Sequence, residues 1–282
     1  MIKLSNWPYK LPKKDFQNLQ NTLRQRAGSY PLNLSLYFDK YIVWKDKDGE
    51  EEAKLTNQKL FTNFETSLNS RPPFRGVVPN WAIPKSEYDN YLRRFDSLKK
   101  TLEIQKYFCR DFCAKLLWRL VVDIGAESVY ETSINLHRNY SVPIIPGSAV
   151  KGCTRAYMIK QNDGKQNEKI KAIFGDQERK GSVIFFDALP NKIPEDLIRL
   201  DIANVHYPDY YRTNENEPPG DWMEPNPVTF LSIEKAEYQF SVASKNSDLA
   251  EVASMALENA IEKMGIGAKT SAGYGYFETV NA

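Results

Sequence analysis

Residues 265–275, GIGAKTSAGYG, place four Gly in eleven positions around Lys269, Thr270 and Ser271. Glycine lets backbone N–H groups approach an anion closely, and the lysine and two hydroxyls add further donors, so this chemistry suits a phosphate. Two nucleotide motifs fail here. A Walker loop needs Gly directly before its Lys, and Ala268 stands there. A dinucleotide fingerprint needs Gly where Thr270 stands. Both motifs also run from strand to helix, whereas this stretch leads from a helix into a strand. A phosphate cradle and a structural turn remain. Helix-to-strand joints usually take about 2–6 residues, so the length disfavours a plain turn.

A second glycine-bearing stretch, 144–152, reads IIPGSAVKG. A Pro-Gly turn precedes a helix whose N-cap is expected at Gly147 or Ser148. The free N–H groups of such an end favour phosphate. Ser148, Lys151 and Arg155 are three and four apart and share one helix face. Gly152 inside the helix costs about 1 kcal/mol relative to Ala, so close packing by a strand or a nucleic-acid backbone is expected there. A well-capped helix with solvated bases fits the same residues.

The three cysteines are Cys109, Cys113 and Cys153. An odd count without a framework points to a reducing compartment. Cys109 and Cys113, four apart on an expected helix, could hold a metal, but a buried structural pair suits them better, since no His or second Cys pair lies near in sequence.

The elements that must position these residues follow from hydrophobic periodicity. In the first third, a short helix is expected at 13–26, a strand at Leu34–Trp44 and a helix at Thr56–Leu68. A Pro-rich connection follows, then over Lys85–Cys113 a helix with Tyr88, Tyr91, Leu92, Phe95, Leu98 and Leu102 at helical spacing, and a break or bend before the next strand. Strands are expected at Leu116–Ile124, Ser182–Leu189, Val228–Ala243 and Tyr274–Val280, and helices at Ser148–Gln161 and Asp248–Met264. The fold class is therefore α+β, a ferredoxin-like β-α-β-β-α-β core of the kind shared by the RNA-recognition motif. Residues 1–114 form a mostly helical extension, 115–282 the core, and 191–226 a Pro-, Asn- and Tyr-rich insertion between strands two and three.

Net charge over the 282 residues is only +2, yet residues 1–181 hold 31 Lys/Arg against 20 Asp/Glu, and the remainder 7 against 16. A split of +11 and −9 suits a polyanion partner or complementary assembly surfaces. No run of about 18 apolar residues and no secretory signal is found, so a cytoplasmic protein without a membrane partner is expected.

The two glycine-bearing stretches resemble the signature of the RAMP superfamily of CRISPR proteins. Residues 173–176 (IFGD) followed by 181–188 (GSVIFFDA) resemble a third shared block. Residues 131–137 (ETSINLH), 201–211 (DIANVHYPDYY) and 227–231 (PVTFL) are similar to the family of sixth, backbone-terminal subunits of the type III-B effector, the Cmr complex. The likeness spans about 115–280 and rests on several blocks in the right order. It implies a non-catalytic subunit holding the 3′ part of a CRISPR guide RNA. Target single-stranded RNA would pair alongside, and the neighbouring backbone, small and terminal first Cmr subunits would touch it. No cofactor is implied. Carried onto this chain, the RNA-binding residues are Arg138, Gly147, Ser148, Lys151, Arg155, Gly265, Gly267, Lys269, Thr270, Ser271, Gly273 and Tyr274. Aromatics of the insertion (His206, Tyr207, Tyr210, Tyr211, Trp222) would stack on bases or pin the loop; pinning is the simpler role.

Two other classes fit less well. A metal-independent guide-processing ribonuclease of the superfamily would use His as general base, and only His137 and His206 are available. Asp187, Asp201 and Asp209 form no recognisable two-metal set. A purely protein-binding scaffold would use the two charged halves as subunit interfaces.

Overall fold

A computed structural model describes residues 85–126, 132–192, 197–205, 220 and 226–280. The helix and strand expectations for 1–84, and the aromatics of the insertion from His206 to Trp222, lie outside the described residues.

Helix α1 (Lys85–Ile104) lays its apolar stripe on the core. Tyr88 is buried, and its hydroxyl donates to the Pro190 carbonyl at 2.6 Å. Phe95 meets the edge of Phe186 at 5.5 Å. Lys99, only 6% exposed, is held by the carboxylates of Asp96 and Asp111, which offset the cost of burying its charge. Leu98, at the same helical spacing, is 47% exposed. The helix stops well before Cys113. Lys106 adopts φ 64°, and the Tyr107 N–H bonds back to the Leu102 carbonyl at 2.9 Å, closing the last turn. The chain then reverses into β1 (Phe108–Leu116), followed by β2 (Arg119–Leu120).

Cys109 and Cys113 therefore sit on a strand, not on a helix. Four residues of strand separate them by about 13 Å, too far to share a metal. Cys109 packs its thiol 3.9 Å from the Lys99 carbonyl, and Cys113 accepts from the Asn191 side chain at 3.1 Å.

The next elements are α2 (Gly147–Gln161), α3 (Glu168–Phe174), β3 (Val183–Phe185), β4 (Leu189–Lys192) and β5 (Ile198–Val205). After them come β6 (Asn226–Glu234), β7 (Glu237–Ser244), α4 (Ser247–Lys263), a short 3-10 turn at Thr270–Ala272 and β8 (Phe277–Val280). Asn246 caps α4 by accepting from the Leu249 N–H at 3.0 Å. Its Ala253, Leu257, Ala260 and Ile261 are fully buried, while the Met264 side chain is only half-buried.

Two antiparallel sheets result. The first has strand order β3-β7-β1-β8, with β4 also pairing β7; the second is β2-β6-β5. The fold is thus α+β. Strand limits differ from expectation in four places, one of them β8, which starts at Phe277 rather than Tyr274. The first core strand is 108–116 rather than 116–124. The expected single strand 228–243 is two strands in different sheets, parted at Lys235 with φ 59°. Residues 182–189 split between β3 and β4 around Phe186–Ala188. Part of the expected insertion, 198–205, is β5, paired along its length with β6. The core joins both sheets and the helices through Tyr238, Phe240 and Phe277 of the first sheet, Leu120 and Ile233 of the second, Ile145 and Leu257, all fully buried.

Candidate nucleic-acid interface

The glycine-rich segment leaves α4 and doubles back along β2. The Ala268 N–H donates to Val121 O at 2.8 Å and the Gly275 N–H to Arg119 O at 2.7 Å, while the Ile266 N–H closes on Gly275 O at 2.8 Å. These bonds draw the backbones so close that a Cβ on Gly267 would lie 2.4 Å from Val121 O. Gly265 is buried, and its carbonyl accepts the Cys153 thiol at 3.3 Å. Burial pushes that thiol up to about 11, so it stays a neutral donor.

Between these latches the loop faces solvent. Lys269 takes φ 58° and starts the 3-10 turn; its ammonium lies 5.1 Å from the centre of the Phe230 ring. Thr270 is half-buried, and Gly267, Ser271 and Gly273 are exposed. Tyr274 is different. Its ring is buried with Val121 and Phe230, and its hydroxyl donates to Asp201 Oδ2 at 2.7 Å. Burial, then the Asp201 bond and charge, hold that phenol well above its ordinary range. Arg119 donates to the same oxygen at 2.6 Å. Tyr274 thus serves as a strut that fixes the loop to β5.

The start of α2 is also more occupied than the sequence suggests. The N-cap is Pro146 (φ −58°, ψ 142°), not Gly147 or Ser148. Its carbonyl accepts from the N–H groups of Ala149 and Val150 at 2.8 and 3.0 Å. Gly147 is buried, its N–H donates to Asp187 Oδ1 at 2.7 Å, and a Cβ there would lie 2.5 Å from Phe185 O. A carboxylate therefore already sits where a phosphate was expected. Ser148 remains exposed.

One turn on, Lys151 and Arg155 line a cleft of about 570 Å³ with Gln166, Phe174, Gly175, Asp176 and Gln177. Arg155 Nε is buried without a hydrogen-bond partner. Such a donor is costly unless an acceptor arrives. Asp176 at the rim is held below the ordinary carboxylate range by the N–H groups of Arg179 and Glu178. Cys153 lies on the opposite flank of α2, so the helix touches the glycine-rich loop with one side and opens its bases on the other.

The packing expected at Gly152 is not found within the chain: the residue is exposed and a Cβ would meet nothing within 4 Å. Gly152→Ala should therefore stabilise the fold by about 1 kcal/mol. Urea denaturation checks this; a loss of stability would mean an unseen packing partner inside the chain.

Arg138 is exposed on the turn 138–140. His137 packs its ring on Tyr91 and Tyr140 at 5.0 and 4.8 Å, and its Nδ1 accepts from the Asn139 N–H at 3.2 Å. Burial lowers its pKa, partly opposed by Asp187. Among the described residues no group of His, Cys, Asp and Glu could hold a metal, and no helix is long and apolar enough to cross a membrane.

The sequence missed the support of the site. In the sequence Asp201 stands out only within the 201–211 block and in an acidic set that forms no two-metal site, and Arg119 and Trp118 fall inside the expected strand 116–124. A second cleft of about 560 Å³, lined by Arg93, Arg94 and Tyr140 beside Glu87, Asn90 and Ser97, also went unseen. The adjacent Arg pair on an amphipathic helix was its one visible signal.

A family model described as the RAMP superfamily matches residues 113–278, from within β1 to β8. A Pyrococcus furiosus protein named "CRISPR system Cmr subunit Cmr6" is 31% identical over 334 residues, covering 90% of this chain and 96% of that protein. A Saccharolobus solfataricus protein of the same description is 29% identical over 254 residues, covering 89% of this chain and 81% of that one. A chain of the solved type III-B Cmr-beta complex bound to cognate target RNA aligns with TM-score 0.62 at 25% identity, covering 94% of this chain and 87% of that one. Both glycine-bearing segments lie inside the matched span, and the chain belongs to the RAMP superfamily and, within it, to the Cmr6 family of type III-B CRISPR effector subunits.

Proposed function

We propose that this subunit is a non-catalytic RNA-binding building block that holds the 3′ part of the guide RNA and caps the backbone of the effector. The observation that carries this is the open cleft of Lys151 and Arg155, where a buried guanidinium N–H lacks an acceptor. A phosphate or 2′-OH oxygen supplies one, and it carries no base identity, as a sequence-tolerant guide contact requires. Lys269, Thr270 and Ser271 offer a second set of donors, with Ser148 and Arg138 on the same helix and its approach. Gly152 leaves room for a backbone to pass. The related Cmr-beta structure is of a complex bound to cognate target RNA, which supports target RNA and sibling subunits as partners here.

The first sheet and its two crossing helices support a ferredoxin-like core. Taken in order, β1, α2, β3, β7, α4 and β8 give β-α-β-β-α-β, with the first strand between the third and fourth. That core starts at Phe108, since a boundary at 114/115 would cut β1. The second sheet and α1 are additions to it.

Lys151→Ala combined with Lys269→Ala should weaken guide binding by the assembled complex. It should also flatten the slope of log affinity against log salt by up to about 2, one for each lost phosphate contact. Titration of guide RNA between roughly 50 and 200 mM salt measures this. An unchanged slope removes both lysines from the interface.

The ribonuclease alternative rests on His137 and His206. The His137 ring is packed between tyrosines rather than poised over an open cleft. His137→Ala and His206→Ala should leave target cleavage by a reconstituted complex unchanged. Loss of cleavage in an intact assembly would make this subunit an enzyme.

A further inference from the structure

The corner between β1 and β2 is two residues long, Leu117 and Trp118. Both are apolar and both stay open to solvent, at 60% and 46% exposure. The indole is nevertheless firmly placed. Its ring lies 4.7 Å from the Tyr274 ring, and the Arg119 guanidinium is 5.4 Å from its centre. Tyr274 and Arg119 are themselves pinned to one oxygen of Asp201. The corner is strapped to the glycine-rich loop on both sides, by Leu117 N–H to Tyr276 O at 3.0 Å and Gly275 N–H to Arg119 O at 2.7 Å. A Cβ on Gly273 would lie 4.0 Å from the indole.

An aromatic with nearly half its surface open, packed on a loop that carries Lys269, Ser271 and the exposed backbone of Gly273, matches a base and its phosphate. Aromatic side chains stack on any base, because every base has a π-face. A sibling protein fits less well. A stable protein interface buries about 800 Å² on each side, with an apolar centre, whereas here two side chains stand beside a polar loop.

We propose that Trp118 is a stacking platform for one base of a single-stranded RNA whose backbone follows the glycine-rich loop. This rests on the RNA-binding role proposed above and names the aromatic part of that site. Because stacking ignores base identity, it would fix the register of the strand without constraining its sequence.

The test uses the reconstituted complex with 2-aminopurine moved one position at a time along the guide and then along the target strand. Stacking on an indole quenches this base. Expected is one quenched position whose fluorescence rises several-fold with Trp118→Ala and only partly with Trp118→Phe. No response at any position, in a complex that retains this subunit and its guide, overturns the proposal while leaving the lysine contacts standing. Loss of the subunit from the complex with Trp118→Leu, when the isolated variant melts like wild type, makes the corner a sibling contact and also overturns it. Failure of the RNA-binding role itself would show instead as no guide RNA cross-linked to this chain, and is read separately.

Discussion

Gly275→Ala should destabilise the fold by about 3–5 kcal/mol, a large fraction of the stability of an ordinary domain. The residue has φ 76°, where an L side chain is strained by roughly 1 kcal/mol or more. A Cβ would also lie 1.9 Å from the Ile266 carbonyl oxygen, closer than any real contact. That carbonyl belongs to backbone and cannot swing aside as a side chain would. Its neighbour, the Ile266 N–H, is bonded to Gly275 O, so relief of the clash breaks the latch of the loop. Gly152→Ala, with nothing in its way, is the internal control and moves stability in the opposite direction. Equilibrium urea unfolding of both variants checks the pair; a cost below about 1 kcal/mol for Gly275→Ala would mean the loop backbone is free to shift. The glycines read from sequence as a phosphate cradle are therefore partly structural. Those at 265, 267 and 275 allow backbones to meet, whereas 273 faces solvent.

Asp201→Ala should cost about 3 kcal/mol. One carboxylate oxygen holds both Arg119 and the Tyr274 hydroxyl, with side-chain exposures of 22% and 18% for Arg119 and Asp201. Removing it leaves a half-buried guanidinium, whose Nε already lacks a partner, facing a phenol without an acceptor. Glu251→Ala breaks the exposed pair with Arg110 and should stay within about 0.5 kcal/mol, since surface pairs gain little against solvent screening. Equal losses for the two variants would show the Asp201 network to be ordinary surface. The network also sets an alkaline limit. Tyr274 has a folded pKa raised above its unfolded value near 10, so the folded form favours the protonated phenol. Its contribution is complete below about pH 10 and falls as pH rises through the folded value. Tyr274→Phe should shallow that decline. Tyr88 and Tyr238, raised by burial as well, keep part of it.

Much of this arrangement was legible in the residues. Helix α4 is where its spacing puts it, because Asn246 caps it and a broad apolar face runs through Leu257 and Ile261. Helix α2 starts one residue earlier than expected. Strand limits were less legible, for a local reason. Helix α1 ends at Ile104 with Lys106 just beyond it, and the β6–β7 break falls at Lys235; both lysines have positive φ, and neither position is marked by the glycine that usually signals it. Without those stops, one helix ran on into β1, and two strands fused into one. Lys151, Arg155 and Lys269 were visible as cations in glycine-bearing stretches. Their supports were not: Arg119 and Tyr274 reach Asp201 across 82 and 73 residues, a proximity no local pattern encodes. The overall charge of +2 gave no hint of RNA either, since the bases concentrate in the first 181 residues while Lys269 is one of only seven bases in the acidic remainder.

The central claim is that this chain itself touches guide RNA. The most direct measurement is ultraviolet cross-linking in cells of the host, followed by purification of the tagged chain under denaturing conditions, so that sibling subunits and their RNA are stripped away. Sequencing of the attached RNA should return CRISPR guides, with cross-links concentrated in their 3′ part. No guide RNA above an uncross-linked control, from cells whose sibling subunits do yield guides, would contradict it and leave a protein-binding scaffold.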